Sequence, residues 1–206
     1  MLNLQTLKNM INLRSTAFPW LILFAVYLGL DVFVTGFARW EFPYAVLYAV
    51  TFLAISMVLA INKPNFLTGL MLVVMGILVT FVQLNGIPID FALGLAAVAF
   101  VVMFLAEFNV IKLKSDPGVR YLSVLPFLML IFFAVIYFYH RITTPGLELN
   151  AATALNHIGI GLVAFDGMVR VTGRVKTWYI MAAGLSLAVI SAVWMTVGLG
   201  WGLQLI

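Results

Sequence analysis

The sequence contains no cysteine and few charged residues, and each shortage excludes a class of protein. Without cysteine there is no disulfide, thiolate metal site, cysteine nucleophile or iron–sulfur cluster. Charged residues make up 9% of the chain, whereas a soluble globular domain carries about 25%. Because so few charges cannot cover a water-facing surface, this composition is not that of a soluble domain.

Apolar residues are abundant and fall into long runs. They make up 65% of the 206 residues, and the mean hydropathy is +1.16. A transmembrane helix needs about 20 mainly apolar residues. Alternating strand patterns are missing, and helices satisfy their own backbone groups in lipid. Turn-forming clusters with Pro, Gly or Asn separate the runs. The predicted spans are residues 17–37, 42–61, 65–84, 88–107, 119–139, 151–170 and 177–201.

These runs predict an all-α integral membrane protein, a polytopic bundle of about seven transmembrane helices forming one domain over residues 17–206. Residues 1–16 precede it. Their apolar residues recur at helical spacing and polar residues fill the other side, a pattern typical of a short amphipathic helix in the headgroup region. A frayed tail is the alternative interpretation of this segment.

The basic residues indicate an orientation. With seven spans, nine of the eleven Lys and Arg residues fall on one side and two, Arg39 and Arg141, on the other. Positive residues favour the cytoplasmic side, so the N-terminus is predicted inside and the C-terminus outside. Aromatic residues at the run ends fit interfacial belts; Trp20 and Trp178 are expected at the inner interface. The nine residues are Lys8, Arg14, Lys63, Lys112, Lys114, Arg120, Arg170, Arg174 and Lys176.

Small residues predict close helix packing. Span 7 repeats them every fourth position, which lets another backbone approach. Span 6 gathers its small and polar residues on one arc and its apolar residues on the opposite arc. Span 4 is rich in Ala, so spans 4, 6 and 7 are expected to form the tightly packed part of the bundle. The predicted packing residues are Gly159, Gly161, Gly184, Ala188, Ala192 and Gly200.

Ionisable residues within spans raise functional hypotheses. Asp166 lies near the inner end of span 6, where it can pair with Arg170 four residues on or form a proton or cation relay with Glu107. In the outer half, Asp31 and His157 either satisfy each other within the bundle or line a polar cavity with Asn156. Such a cavity could bind a small ligand or conduct protons through the histidine.

The two histidines, His140 and His157, are the candidates for holding a haem or a metal ion. His140 lies next to Arg141 at the predicted water interface, and no third ligand is evident. The sequence therefore predicts lipid contacts but no cofactor and no metal.

Recognisable catalytic motifs are absent from the sequence. It lacks the His-Glu-x-x-His of a zinc protease, a Gly-x-Ser-Gly nucleophile, a lysine in span 7 for a retinal Schiff base, and a phosphate-binding Gly-rich loop. Three classes of function stay open: a non-catalytic subunit or scaffold of a larger membrane complex, a small proton- or ion-coupled carrier, and an intramembrane cofactor protein. The expected partners are lipid and other membrane subunits or further copies of the chain, not nucleic acid, in a plasma or inner membrane.

Overall fold

The structure is a computed structural model that describes residues 4–35, 42–84, 86–108, 110–146, 150–173 and 178–200; within these ranges it does not describe the side chains of 31–35, 42–44, 83 and 196–200. The regular elements in this part of the chain are helices, as the sequence predicts. They are α1 (Leu4–Ile11), α2 (Phe18–Thr35), α3 (Phe42–Ala60), α4 (Phe66–Gln83), α5 (Ile89–Glu107), a 3-10 helix (Pro117–Ser123), α6 (Val124–Thr143), α7 (Ala151–Val171) and α8 (Tyr179–Gly200).

Among the residues that the structure describes, three helical segments are long and apolar enough to cross a membrane. They are Ile89–Glu107, Pro117–Thr143 and Ala151–Val171. Shorter apolar stretches occupy the other four long helices: Phe18–Leu30, Ala45–Ala60, Phe66–Val82 and Tyr179–Met195. The chain is thus a helical bundle with span-like helices.

The long helices form a ring with one additional helix outside it. Going round, α2 packs against α3, α3 against α4, α4 against α6, α6 against α7, α7 against α8, and α8 against α2. The remaining helix, α5, packs on α3 and α4. Four of its six buried residues are alanine, whereas its exposed face carries large apolar residues such as Phe91 and Phe104. The grouping of spans 4, 6 and 7 is therefore wrong for span 4, because the Ala-rich face of α5 serves a different pair of helices.

A cluster of aromatic rings is buried between α2, α3 and α6. The Trp20 ring of α2 lies 5.2 Å from that of Phe127 in α6 and 5.8 Å from that of Phe52 in α3, measured between centroids. All three side chains are fully buried. Trp20 lies in the first turn of α2, and its side chain faces α3 and α6 rather than the outside of the bundle. Trp178, by contrast, is exposed.

Helices α7 and α8 approach through glycine. A Cβ at Gly159 would lie 2.4 Å from the backbone N of Ala188 and 2.8 Å from the carbonyl O of Gly184. A Cβ at Gly184 would meet the Cβ of Leu162 at 2.7 Å. Only residues without side chains fit at this crossing. The crossing explains the small residues of spans 6 and 7.

The predicted two-sided character of span 6 matches the burial along α7. Its small and polar arc is inside the bundle, with Asn156, Gly159, Asp166 and Gly167 buried. On the opposite arc Phe165 is 42% exposed, as is typical of a side chain that meets lipid.

Several chain segments meet at the end of the bundle that carries α1. We call it the basic end because Lys8, Arg14 and Arg120 lie there. The side-chain amide of Asn9 in α1 donates to the carbonyl of Ala60 at the end of α3, 3.1 Å away. The loop after α3 and the loop after α5 are joined by a β-bridge between Asn65 and Ser115. Met10 of α1 is buried, whereas the apolar residues of its other face, Leu4, Leu7 and Ile11, are exposed.

Candidate functional site

Glu107, the last residue of α5, is a buried carboxylate with several donors around it. Its side chain is 2% exposed. Its Oε1 accepts hydrogen bonds from the backbone N–H of Asn65 at 3.1 Å, the side-chain amide of Asn65 at 3.0 Å and the hydroxyl of Thr68 at 2.5 Å. A buried charge costs free energy unless it is well hydrogen-bonded, and this arrangement supplies the bonds.

The donors are in place because α4 begins there. Asn65 is the N-cap of α4, and its side-chain oxygen accepts the backbone N–H of Thr68 at 3.0 Å. A helix N-terminus carries a partial positive charge, so a carboxylate beside it is stabilised. Glu107 therefore fastens the end of α5 to the start of α4, which is a structural role.

Asp166 of α7 forms an ion pair within its own helix. It is 3% exposed, and its Oδ2 lies 2.5 Å from the Nε of Arg170, one turn further on. This is the pair that the spacing predicts. The contacts that the structure describes for Asp166 and for Glu107 are with different partners, so these contacts do not join the two acids in a relay.

Asn156 of α7 links three helices. Its Oδ1 accepts a hydrogen bond from the hydroxyl of Tyr27 in α2 at 2.6 Å, and its Nδ2 donates to the Oγ of Ser191 in α8 at 3.2 Å. The Ser191 hydroxyl in turn donates to the carbonyl of Ala188 at 3.0 Å. We call Tyr27, Asn156 and Ser191 the Asn156 network. It holds α2, α7 and α8 together through hydrogen bonds that meet at the side-chain amide of Asn156.

His157, the next residue, faces a different helix. Its Nδ1 lies 2.7 Å from the carbonyl of Thr153, so Nδ1 carries the proton and donates. The ring stacks on Tyr137 of α6 with 4.1 Å between centroids and 6° between planes, and Phe133 lies 4.9 Å away. Arg141 lies over the other ring of the stack, 5.6 Å from the Tyr137 centroid. The structure thus separates the environments of His157 and Asn156.

The Tyr137 hydroxyl is the unusual group in this stack. It is buried and has no hydrogen-bond partner within the described part of the chain. A buried hydroxyl without a partner is costly. Tyr137 and His157 are therefore the residues of this stack that could form hydrogen bonds with a ligand or a transported proton.

The other predicted residues are dispersed. His140 is exposed, with its Nδ1 2.9 Å from the hydroxyl of Thr144. The backbone of Asp31 belongs to α2, but its side chain lies outside the described residues, as do the surroundings of Gly200. No cluster of three or more His, Asp or Glu side chains occurs within the ranges that the structure describes.

The predicted packing residues divide in two. Gly159, Gly184 and Ala188 lie at the α7–α8 crossing, and Ala192 is buried further along α8. A Cβ at Gly161, by contrast, would meet the Cβ of Ala134 in α6 at 3.6 Å, an ordinary contact. Gly161 therefore faces α6 and leaves room for a methyl group.

Sequence reasoning missed the partners of the polar residues. Asn65 has a recognisable signature, since Asn immediately before an apolar run is a helix N-cap signal, and an N-cap side chain bonds the backbone two or three residues on, here at Thr68. Tyr27, Ser191 and Tyr137 have none, because each lies within an apolar run and its partner is on another helix. Comparison with protein-family models, curated proteins and solved structures finds no match to this chain.

Proposed function

We propose that the chain is a multi-pass integral membrane protein in which α2 to α8 are seven spans, with the N-terminus in the cytoplasm. Four features support this: three span-like helices, apolar stretches in the other four, exposed apolar residues on the outer face of α5, and the basic residues near α1. The exposed apolar face of α1 suits a position in the headgroup layer.

Within that membrane the proposed function is that of a non-catalytic subunit or scaffold of a larger complex. One observation carries the proposal: the polar groups at the predicted relay positions are used for structure. Glu107 holds the start of α4, Asp166 pairs with Arg170, and Asn156 joins α2 to α8. Residues committed to such bonds have little capacity for exchanging substrates, whereas a scaffold needs rigid helices.

Affinity purification from native membranes in a mild detergent, followed by mass spectrometry, tests the subunit proposal. The expected result is a set of membrane proteins that co-purify at a fixed ratio to the chain through size-exclusion chromatography. A tagged, unrelated polytopic protein expressed at the same level is the control for detergent-trapped contaminants. A monodisperse chain that carries no specific partner and is not self-associated would contradict the proposal.

The unpartnered Tyr137 hydroxyl supports a second candidate function, a small proton- or ion-coupled carrier acting at His157. A flux assay with the chain reconstituted alone in vesicles distinguishes the two. A carrier predicts ion or proton flux that falls in both Tyr137→Phe and His157→Ala and persists in His140→Ala, whose ring is exposed. The scaffold predicts no flux above protein-free vesicles.

A further inference from the structure

A cavity of about 400 Å³ opens at the basic end, between α1, the end of α3 and the 3-10 helix. This is within the usual size of a small-ligand site. Two arginines line it, Arg14 after α1 and Arg120 in the 3-10 helix. No Asp or Glu is among the described residues of its lining. A cavity with two positive charges and no acid attracts anions.

Arg120 is the residue that points to a ligand. Its Nε is buried and has no hydrogen-bond partner in the part of the chain that the structure describes. Neither Arg120 nor Arg14 has an ion-pair partner among those residues. A buried guanidinium N–H without an acceptor is costly, and an anion bound in the cavity that Arg120 lines would offset the charge of this guanidinium.

Neutral donors complete the lining. The hydroxyl of Ser15 accepts the backbone N–H of Phe18 at 3.2 Å and keeps its own proton to donate. Thr16 and Asn62 add a hydroxyl and an amide. The end of α3 contributes carbonyls, which oppose an anion, but Asn9 already occupies the Ala60 carbonyl. Two guanidinium forks and several hydroxyl or amide donors match the several oxygens of a phosphate group.

We propose that the cavity at the basic end binds a phosphate group through Arg14 and Arg120. The group can come from a soluble phosphate compound or from the headgroup of an anionic phospholipid. The second source fits the exposed apolar residues Leu4, Leu7 and Ile11 of α1, which border the same region and suit acyl chains. The site is independent of the subunit role, because it needs no protein partner.

Thermal unfolding of the purified full-length chain in a neutral detergent tests the site. The probes are sn-glycerol 3-phosphate, short-chain phosphatidylglycerol, and diacylglycerol of the same chain length, which lacks the phosphate. The site predicts a saturable rise in Tm with a phosphate-bearing probe and none with diacylglycerol. A response to glycerol phosphate alone indicates a soluble ligand, and a response to phosphatidylglycerol alone indicates a lipid.

Substitutions locate the effect. Arg120→Gln and Arg14→Gln should each weaken the apparent affinity about tenfold or more, since each removes charge-assisted hydrogen bonds. Lys112→Gln and Lys114→Gln remove exposed charges at the same end that do not line the cavity, and should leave the affinity unchanged. Arg120→Lys keeps the charge but lacks the fork, so an intermediate affinity is expected.

Three results would overturn the proposal. They are no saturable shift with either phosphate probe, an equal loss of affinity in the Lys112→Gln and Lys114→Gln controls, and a shift that sodium chloride of equal ionic strength reproduces. If Arg120→Gln does not fold, Arg14→Gln decides the matter, because Arg14 is exposed and its loss leaves the packing intact. The affinity purification from native membranes tests the subunit role separately, so its result does not change the interpretation of these binding measurements.

Discussion

At the scale of single residues, Glu107 shows how a buried carboxylate is stabilised within an apolar bundle. Its donors come from a helix start 42 positions earlier in the sequence, so the acid and its partners stabilise each other only in the folded state. Glu107→Ala leaves three buried donors at Asn65 and Thr68 without an acceptor. The expected loss is about 3 kcal/mol of unfolding free energy, measured by denaturant titration in detergent micelles.

The matched control is Glu107→Gln, which keeps a side-chain oxygen for the same donors and removes the charge. It should cost about 1 kcal/mol, since neutral hydrogen bonds are weaker than charge-assisted ones. Equal stability of the Ala variant and the unsubstituted chain would show that Glu107 does not hold α4 and α5 together.

The Asn156 network gives a second residue-scale prediction. Tyr27→Phe removes one hydroxyl and should cost about 1 kcal/mol. Ser191→Ala removes the acceptor on the other side of Asn156. Because both bonds meet at one amide, the double variant should depart from additivity. A double-mutant cycle measured by unfolding tests this, and strict additivity would mean that the two bonds are independent.

At the scale of the helix, the α7–α8 crossing depends on Gly159. Gly159→Ala places a methyl 2.4 Å from the Ala188 nitrogen, so the helices must separate. The expected cost is about 2 kcal/mol, as for other overpacked sites, visible as a lower Tm in detergent. Gly159→Leu should prevent close packing of the two helices altogether.

Two glycines provide matched controls for this experiment. Gly161→Ala lies on the same helix and meets Ala134 at an ordinary 3.6 Å, and Gly94→Ala in α5 meets nothing within 4 Å. Both should be neutral or slightly stabilising, since alanine lowers the entropy of the unfolded chain. Alanine is the better helix former, so helix propensity cannot lower the stability of any of the three variants. A similar loss in all three would show that the effect of Gly159→Ala does not come from the close approach at the crossing.

Hydropathy predicts the positions of the helices along the chain better than it predicts their local geometry. Hydropathy locates α7 within about a residue at each end, because its ends coincide with those of the apolar run. It also locates the start of span 5, predicted at residue 119, within two residues of the helical segment Pro117–Thr143, but it does not reveal that this segment begins as a 3-10 helix. Asp116 accepts the backbone N–H of Gly118 at 2.7 Å and Pro117 follows it, so the segment begins as a 3-10 turn before α6 starts at Val124.

The direction in which a span faces is harder to predict than its position. In water the buried face is apolar, but in lipid both faces are, so only small and polar residues distinguish them. Asn156 and Asp166 identify the inner face of α7 correctly. Trp20 carries no such mark, yet its side chain is buried against other helices. The Ala-rich face of α5 likewise cannot reveal that its neighbours are α3 and α4.

Contacts between residues of different helices could not be predicted from the sequence for the same reason. Asp166 and Arg170 could be paired in advance, because helical geometry fixes their separation. Glu107 with Thr68, and Tyr27 with Asn156, could not, because their contact depends on the order of helices around the ring. The polar residues of the candidate site can therefore be identified from the sequence, but their partners on other helices cannot.

At the scale of the whole molecule, the bundle has a polar, cationic end at α1 and apolar sides. These features fit the proposal of a chain embedded in a bilayer, which would place the cavity lined by Arg14 and Arg120 at the membrane surface. Alkaline carbonate extraction of membranes should leave the chain in the pellet, since spanning helices are held by apolar burial rather than by charge. Release into the supernatant would indicate peripheral attachment.

Reporters at the two ends of the chain test the proposed topology most directly. One set of fusions carries a cytoplasm-active reporter and an export-active reporter at the N-terminus, and a second set carries them at the C-terminus. Seven crossings and a cytoplasmic N-terminus predict that only the cytoplasm-active reporter works at the N-terminus and only the export-active one at the C-terminus. Activity of the same reporter at both ends would require an even number of crossings and contradict the topology.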